Sequence, residues 1–371
     1  MQIYDARYDT RGRTTVRGVM FFLASLVFLL CGCGSGGGGS STATSSGGCT
    51  LTLQEIEAID NINNMPPECL PQLPTPETNL LGRIFILGTQ IDPANGSLHI
   101  YANGTDIDGN PLQLADYQPA SISIAGIPAD LGLVSVDNII DGDNVLSLGF
   151  LTDYSTSISD AELNAISGVY SHILSNLSPP SLPLIMEGEV INFSNSTVVV
   201  QDWTEDVALL DAAFLDDGGI LRDQTAFYDA LGVSLQRDLV QNNDGLVERC
   251  RPAHMLVAFT DGGENASVMY TKETVQSIIN DSKTILVILG NLSANKDMLV
   301  ELAGDQGAFV YAYNLSNISD VVEKWAGSLS HMVKFTLEQA TGYDSGAITI
   351  QVGTETVNVE RPVDGFCEST M

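Results

Sequence analysis

The chain has 371 residues, length for two ordinary domains plus tails. Hydrophobic residues are 44% and aromatics 7%, which excludes disorder along the whole chain. Against 46 Asp and Glu stand 15 Lys and Arg, a formal net charge of -31. That excludes a typical nucleic-acid binder, because phosphates need cations, and disfavours electrostatic docking on anionic lipid. With 4 His, a histidine-built metal or acid–base site is not expected.

At the N-terminus Arg7, Arg11, Arg13 and Arg17 precede an apolar run from Val19 to Leu30. The run is too short to span a bilayer and fits the apolar core of a signal peptide. Leu30-Cys31-Gly32-Cys33 follows, then a Gly/Ser tract to Gly48. Small residues before a cysteine after such a run resemble the bacterial lipobox. That resemblance implies a signal peptide over residues 1–32 and lipidation at Cys33; an ordinary secretory signal with incidental cysteines is the plainer alternative. Gly34, where an Asp would signal retention, implies delivery to the outer membrane of a bacterial envelope, facing periplasm or exterior, with the membrane touched only through the lipid. Residues 33–80 are expected to be a linker: a flexible coil at Gly34–Gly48, then a stalk with Pro66, Pro67, Pro71, Pro74 and Pro76. Without residues 1–32 the chain keeps 11 basic and 44 acidic residues.

Residues 81–142 alternate strand and turn. Strands are expected at Arg83–Leu87, Ser97–Ala102 and Ser121–Ala125, with turns at Asn95-Gly96 and Asp108-Gly109. Asp106-Ile107-Asp108-Gly109-Asn110 has the flavour of a calcium loop but lacks its spacing and closing Glu, so a hairpin turn is expected. The Asp-rich stretch Asp137–Asp143 is expected to be a solvated connection, an extra Ca²⁺ site being the alternative.

Over residues 143–330 the pattern changes. Apolar runs fall at Val145–Leu151, Ser196–Val200, Met255–Phe259, Thr284–Leu289 and Phe309–Tyr313. Helical periods fall at Asp160–Leu177, Asp206–Leu215, Thr225–Gln241, Lys272–Asn280, Lys296–Ala303 and Ser319–Leu329. Continuous apolar strands separated by helices predict an α/β fold, a doubly wound and mostly parallel sheet with helices on both faces. Ligands in such folds sit beyond the carboxyl ends of the strands.

Those ends carry chemistry. The first run leads into Asp153-Tyr154-Ser155-Thr156-Ser157; Thr225 opens a helix; the Met255–Phe259 run ends Thr260-Asp261-Gly262. D-x-S-x-S, a helix-opening Thr and T-D-G, in this order, resemble the von Willebrand factor type A (VWA) domain over about half the chain. The matched positions are those of its metal-ion-dependent adhesion site: Asp153, Ser155, Ser157, Thr225 and Asp261. Taken singly they have plainer readings, helix caps for the Ser and Thr and a turn for Asp261. The resemblance implies one Mg²⁺, with Mn²⁺ or Ca²⁺ as alternatives, held by neutral hydroxyls so that a free position accepts a carboxylate from a protein ligand with an exposed Asp or Glu. The expected function is an envelope-anchored binding protein. Alternatives are a scaffold subunit of an envelope complex using the same site and a metal-dependent hydrolase. Asp216-Asp217-Gly218-Gly219 lies near the proposed metal loop and is expected to be a plain loop, a tuning role at the rim being the alternative.

Residues 331–371 return to strands at Val333–Leu337, Ala347–Val352 and Thr356–Val359. With the three before residue 143 they would make one small β-sandwich interrupted by, or flanking, the α/β half. Four cysteines beyond Cys33 allow three pairings. The VWA resemblance puts both ends of that domain on the face away from the metal, which favours Cys250–Cys367; the stalk favours Cys49–Cys69. Catalysis is not expected: there is no G-x-S-x-G elbow, the Gly tract lacks the ending of a phosphate loop, and His99, His172, His254 and His331 lack a nucleophile context.

Overall fold

The computed structural model describes residues 76–362 except 93–94, 118–120, 125–132, 140–143, 178–184, 241–252, 262, 282–283, 292, 313–314, 339–344 and 353–354. Its first elements are β1 (Glu77–Thr78), β2 (Ile84–Ile91), β3 (Leu98–Gly104), α1 (Leu114–Tyr117), β4 (Ser121–Ile124) and β5 (Leu133–Asn138). The α/β half follows: β6 (Asn144–Asp153), α2 (Asp160–Leu177), β7 (Ile185–Phe193), β8 (Thr197–Thr204), α3 (Val207–Ala213), α4 (Phe227–Val240), β9 (Ala253–Thr260), α5 (Lys272–Asp281), β10 (Thr284–Gly290), α6 (Lys296–Ala303), β11 (Ala308–Tyr311) and α7 (Leu315–Leu329). The last strands are β12 (Val333–Leu337), β13 (Ser345–Val352) and β14 (Glu355–Pro362). The predicted signal peptide, the lipidation site Cys33 and all four cysteines of the expected disulfides lie outside the described residues.

The strands of the α/β half stand in the order β8-β7-β6-β9-β10-β11. All neighbouring pairs are parallel except β7 with β8. This is the doubly wound order 3-2-1-4-5-6 with its third strand reversed, and its switch point falls between β6 and β9.

Apolar residues alternate along each strand between the two faces of the sheet. From β6, Leu148 and Phe150 join one core and Leu151 the other. From β9, Met255, Val257 and Phe259 join the first; Leu256 and Ala258 join the second. The first core is closed by α2, α3 and α7, with Tyr170, Phe214 and Trp325 its bulkiest helix-side groups. The second is closed by α4, α5 and α6 through Phe227, Leu231, Leu235, Val275 and Leu299. Each fully buried side chain of this size stabilises by about 1.5–3 kcal/mol, so the sheet is fixed from both sides. The helices begin on side-chain caps. Ser159 and Glu162 form a reciprocal pair, Glu162 Oε2 accepting the Ser159 N–H at 2.8 Å while Ser159 Oγ accepts the Glu162 N–H at 3.3 Å. Asp206 caps α3 and Asn295 caps α6.

Two strands of the α/β half depart from expectation. The sequence pattern does not reveal β7, because Glu187, Gly188 and Glu189 interrupt its apolar run; both glutamates are nevertheless buried. Ser147 donates a hydroxyl to Glu187 at 2.7 Å and Arg237 Nε lies 3.0 Å from Glu189. The predicted strand at Ser196–Val200 exists as β8, but as the second arm of a hairpin with β7. The turn at residues 194–196 is far too short for the crossover that parallel strands need.

The flanking strands pair across the α/β half. β12 lies between β3 and β5, and β13 between β14 and β4, all antiparallel. Strands from before and after the α/β half thus share both sheets. The β2-β3-β12-β5 sheet is continuous with the main one through a single pair, Gly88 with Ala253 at the entry end of β9. β5 is a strand not expected from sequence; its Asp137 accepts the Ser135 hydroxyl at 2.7 Å. Among the described residues no helix is long and apolar enough to cross a membrane.

Candidate metal centre

Asp153 ends β6 and Thr260 ends its parallel neighbour β9, with Asp261 one residue further. Both acids therefore stand at the switch point, beyond the carboxyl ends of the two central strands. Asp153 is 0% exposed. Its Oδ1 accepts the Ser155 N–H at 2.8 Å and its Oδ2 accepts the Thr260 hydroxyl at 2.8 Å. One carboxylate is thus oriented by both strands. The Ser155 and Ser157 hydroxyls are 3.0 Å apart, and Ser157 donates to Asp261 Oδ1 at 2.9 Å. Four of the five residues singled out in the sequence lie in one hydrogen-bonded set.

Thr225 is brought alongside by backbone contacts. The Thr156 N–H donates to Asp223 O at 3.0 Å, and the Ala226 N–H to Ser194 O at 2.7 Å. Arg222 bridges the same loops, donating to Ile158 O at 3.2 Å and to Asp160 at 2.6 Å. From the other side Asn265 grips Thr225 twice. Its Oδ1 accepts the Thr225 N–H at 2.9 Å, and its own N–H donates to Thr225 O at 3.0 Å.

The segment after Asp261 goes on to wrap the start of α4. Glu264 accepts the Tyr228 N–H at 2.9 Å, and the Ser267 hydroxyl accepts the Asp229 N–H at 3.0 Å. In return Asp229 accepts the N–H groups of Val268, Met269 and Tyr270 at 2.8–2.9 Å. The Tyr270 ring lies so close to Gly232 of α4 that a Cβ there would meet it at 2.6 Å. Thr260, Glu264, Asn265 and Asp229 were not singled out as functional from the sequence. Glu264, Asn265 and Asp229 bind backbone groups 36 to 41 residues distant and Thr260 the Asp153 carboxylate 107 residues distant, which no local pattern records. Asp229→Ala would strand three N–H groups at about 1 kcal/mol each. Urea unfolding is expected to lose about 3 kcal/mol, and a loss below 1 kcal/mol would contradict the clasp.

Charge at the centre is uncompensated. Among the described residues neither Asp153 nor Asp261 is paired with a basic side chain. Burial pushes the Asp261 carboxyl up to about 7, helped by the nearby Asp153 carboxylate, while the Ser157 hydroxyl opposes the rise. Burial also raises Asp153, against its hydrogen bonds from Ser155 and Thr260. Two buried carboxylates beside the buried Ser155 and the exposed Ser157 hydroxyls, with Thr225 on the adjoining loop, suit a hard, oxygen-seeking divalent cation. No cluster of three or more His, Cys, Asp or Glu is placed to hold an ion among the described residues. Three of the five candidate residues, Ser155, Ser157 and Thr225, carry neutral hydroxyls.

The other sequence candidates form ordinary local structure. Asp106 accepts the N–H groups of Asp108 and Asn110 at 2.9 and 2.8 Å, closing a turn on Gly109 at φ 85°. Asp216 and Asp217 accept the N–H groups of Gly218 and Gly219, each glycine at positive φ. His254 sits at the entry end of β9, away from the cluster.

The strand order and the loops gathered at its switch point are the architecture that the resemblance to the von Willebrand factor type A domain implies. No family model matches the chain, and no curated protein matches it. Several solved structures do. Proximal thread matrix protein 1 from the mussel byssus, in a structure with a zinc-occupied MIDAS motif, is 17% identical with a TM-score of 0.41, over 54% of this chain and 49% of that one. The chain thus spans about half the length of the mussel protein. The conserved hypothetical protein BatB from Bacteroides thetaiotaomicron is 15% identical with a TM-score of 0.38, over 49% of this chain and 100% of that one. The vWF domain of the type V pili tip protein Mfa5 from Porphyromonas gingivalis is 10% identical with a TM-score of 0.36, over 49% of this chain and 94% of that one.

Proposed function

We propose that the cluster holds one divalent cation, Mg²⁺ by preference with Mn²⁺ or Ca²⁺ as substitutes, and that the chain binds a protein partner through it. The observation that carries this is the pair of buried carboxylates, Asp153 and Asp261, linked through the Ser155 and Ser157 hydroxyls and paired with no basic side chain among the described residues. Ser155, Ser157 and Thr225 would offer neutral oxygens, and the two aspartates the charge, directly or through water. When bound, the ion supplies an electrophilic position that a partner's carboxylate can complete. The chain's own part is to hold that position rigid: Thr260 and the Ser155 N–H fix Asp153, and Asn265 fixes Thr225. The arginine-led apolar run and Cys33 support anchoring of the chain to a bacterial envelope, with the Gly/Ser tract letting the binding domain stand off.

Manganese tests the reading, since its paramagnetism reports both occupancy and bound water. Titrating the protein into Mn²⁺ is expected to remove free-ion signal at one site per chain. Adding a short Asp-containing peptide is then expected to lower the water relaxivity of the bound ion, and the Asn analogue to leave it unchanged. Uptake without any peptide effect would leave a metal site and sink the carboxylate-binding role.

A further inference from the structure

Apolar exposure is concentrated around the cluster. Eight large apolar side chains are exposed among the described residues, and four of them, Leu215, Leu221, Val268 and Met269, lie on two loops at the carboxyl end of the sheet. Leu221 and Val268 are 81% and 89% exposed. Each loop carries a residue of the cluster, Thr225 on one and Asp261 on the other. Leu221 is tied to the end of β7 through its carbonyl, which accepts the Ser194 hydroxyl at 2.6 Å. Val268 and Met269 are tied to Asp229, one helical turn beyond Thr225. Neither loop is slack: Asp229 holds one and the Arg222 bridge the other, so these side chains are held out in water by fixed backbone. Such exposure costs solubility and, when clustered, marks an interaction site.

The charge around them is one-sided. The loops over residues 153–159, 214–226 and 261–271 carry Asp153, Asp216, Asp217, Asp223, Asp261 and Glu264 against a single basic residue, Arg222. A divalent ion would not neutralise that face. A partner that is acidic throughout, including a second copy of this chain at -31, would be repelled.

The geometry points to a composite docking surface, resting on the metal-mediated binding proposed above: an ion at the centre, an apolar rim at Leu215, Leu221, Val268 and Met269, and an acidic surround. The partner it fits is a protein segment with one acidic side chain flanked by apolar residues and, further out, basic ones. The carboxylate would meet the ion, the apolar neighbours the rim, and the bases the surround.

Three labelled peptides test this by fluorescence anisotropy in millimolar Mg²⁺: Lys-Leu-Asp-Leu-Lys, Lys-Ser-Asp-Ser-Lys and Lys-Leu-Asn-Leu-Lys. The Leu-flanked Asp peptide is expected to bind about tenfold tighter than the Ser-flanked one, the factor given by covering one apolar side chain. In Leu221→Ser/Met269→Ser, whose Mg²⁺ uptake stays as in the parent, that preference is expected to fall to about threefold or less. Equal affinity for the two Asp peptides, a preference untouched by the double variant, or no binding by either overturns the proposal. If the Asn peptide binds as well as its Asp counterpart, the metal–carboxylate reading fails instead. Mg²⁺-dependent self-association in sedimentation would assign the rim to a second copy and also overturn it.

Discussion

Asp261→Asn is expected to raise the melting temperature of the chelated protein and to abolish the further rise that Mg²⁺ gives the parent. The Asp261 carboxyl is raised to about 7 in the fold, whereas in an unfolded chain it titrates near 3.9. Between those values the folded state holds a proton that the unfolded state has released. Stability without metal therefore falls as pH climbs through the window and stays low above it. An amide at this position removes the charge and still accepts the Ser157 hydroxyl through its oxygen. In chelator at pH 8 the gain should be roughly 2 kcal/mol, or about 5 °C for a domain of this size. Metal reverses the ranking. A ligand at a hundred times its dissociation constant stabilises the native state by about 2.7 kcal/mol, and only the parent keeps both charges. Protons compete for the same oxygens, so Mg²⁺ affinity should drop about tenfold per pH unit below 7. Differential scanning at pH 6 and 8, with Mg²⁺ and with chelator, reads all of this. A variant several degrees less stable than the parent in chelator, or one that still responds to Mg²⁺, would contradict the electrostatic account.

The second large effect lies midway along β7. Arg237→Ala is expected to cost about 3 kcal/mol in urea unfolding, because breaking a buried pair leaves a desolvated charge. Arg237 Nε lies 3.0 Å from Glu189, whose side chain is 1% exposed, and its Nη2 lies 2.8 Å from Asp202 at the surface. The Asp202 contact alone would be worth well under 1 kcal/mol. Glu189→Gln placed in the Arg237→Ala background should restore more than half of the loss, since the uncompensated charge is then gone. An Arg237→Ala loss no larger than that of a surface pair would mean that solvent reaches Glu189.

That same pair explains why β7 was hidden in the sequence. Glu187, Gly188 and Glu189 read as a polar break, and only the folded chain supplies the distant Ser147 and Arg237 that let two carboxylates enter a sheet. β6, β9 and β10 were legible because strands covered on both faces need apolar residues at every position, whichever core each one enters. The helices of the α/β half were legible by period, and the candidate residues were picked out by the order of their three loops, since hydroxyls and acids at strand ends have little local reason to recur together. The hydrogen bonds that hold those loops were not legible. Asn265 and Glu264 look like loop residues until the first turn of α4, some 40 residues earlier, is laid against them. That strands of the two flanks would associate was legible from their patterns, but β5 was not, nor was the register of β12 against β3, because nothing in either segment fixes it until they meet.

Asp153, Asp261 and the hydroxyls of Ser155, Ser157 and Thr225 are proposed to form one divalent-cation site. Calorimetric titration of Mg²⁺ into the chelator-treated full chain at pH 7.5 tests it most directly. One ion per chain at millimolar concentration or below is predicted, with uptake lost in Asp153→Ala while the circular dichroism spectrum is unchanged. No saturable uptake by the parent, or undiminished uptake by that variant, would contradict it.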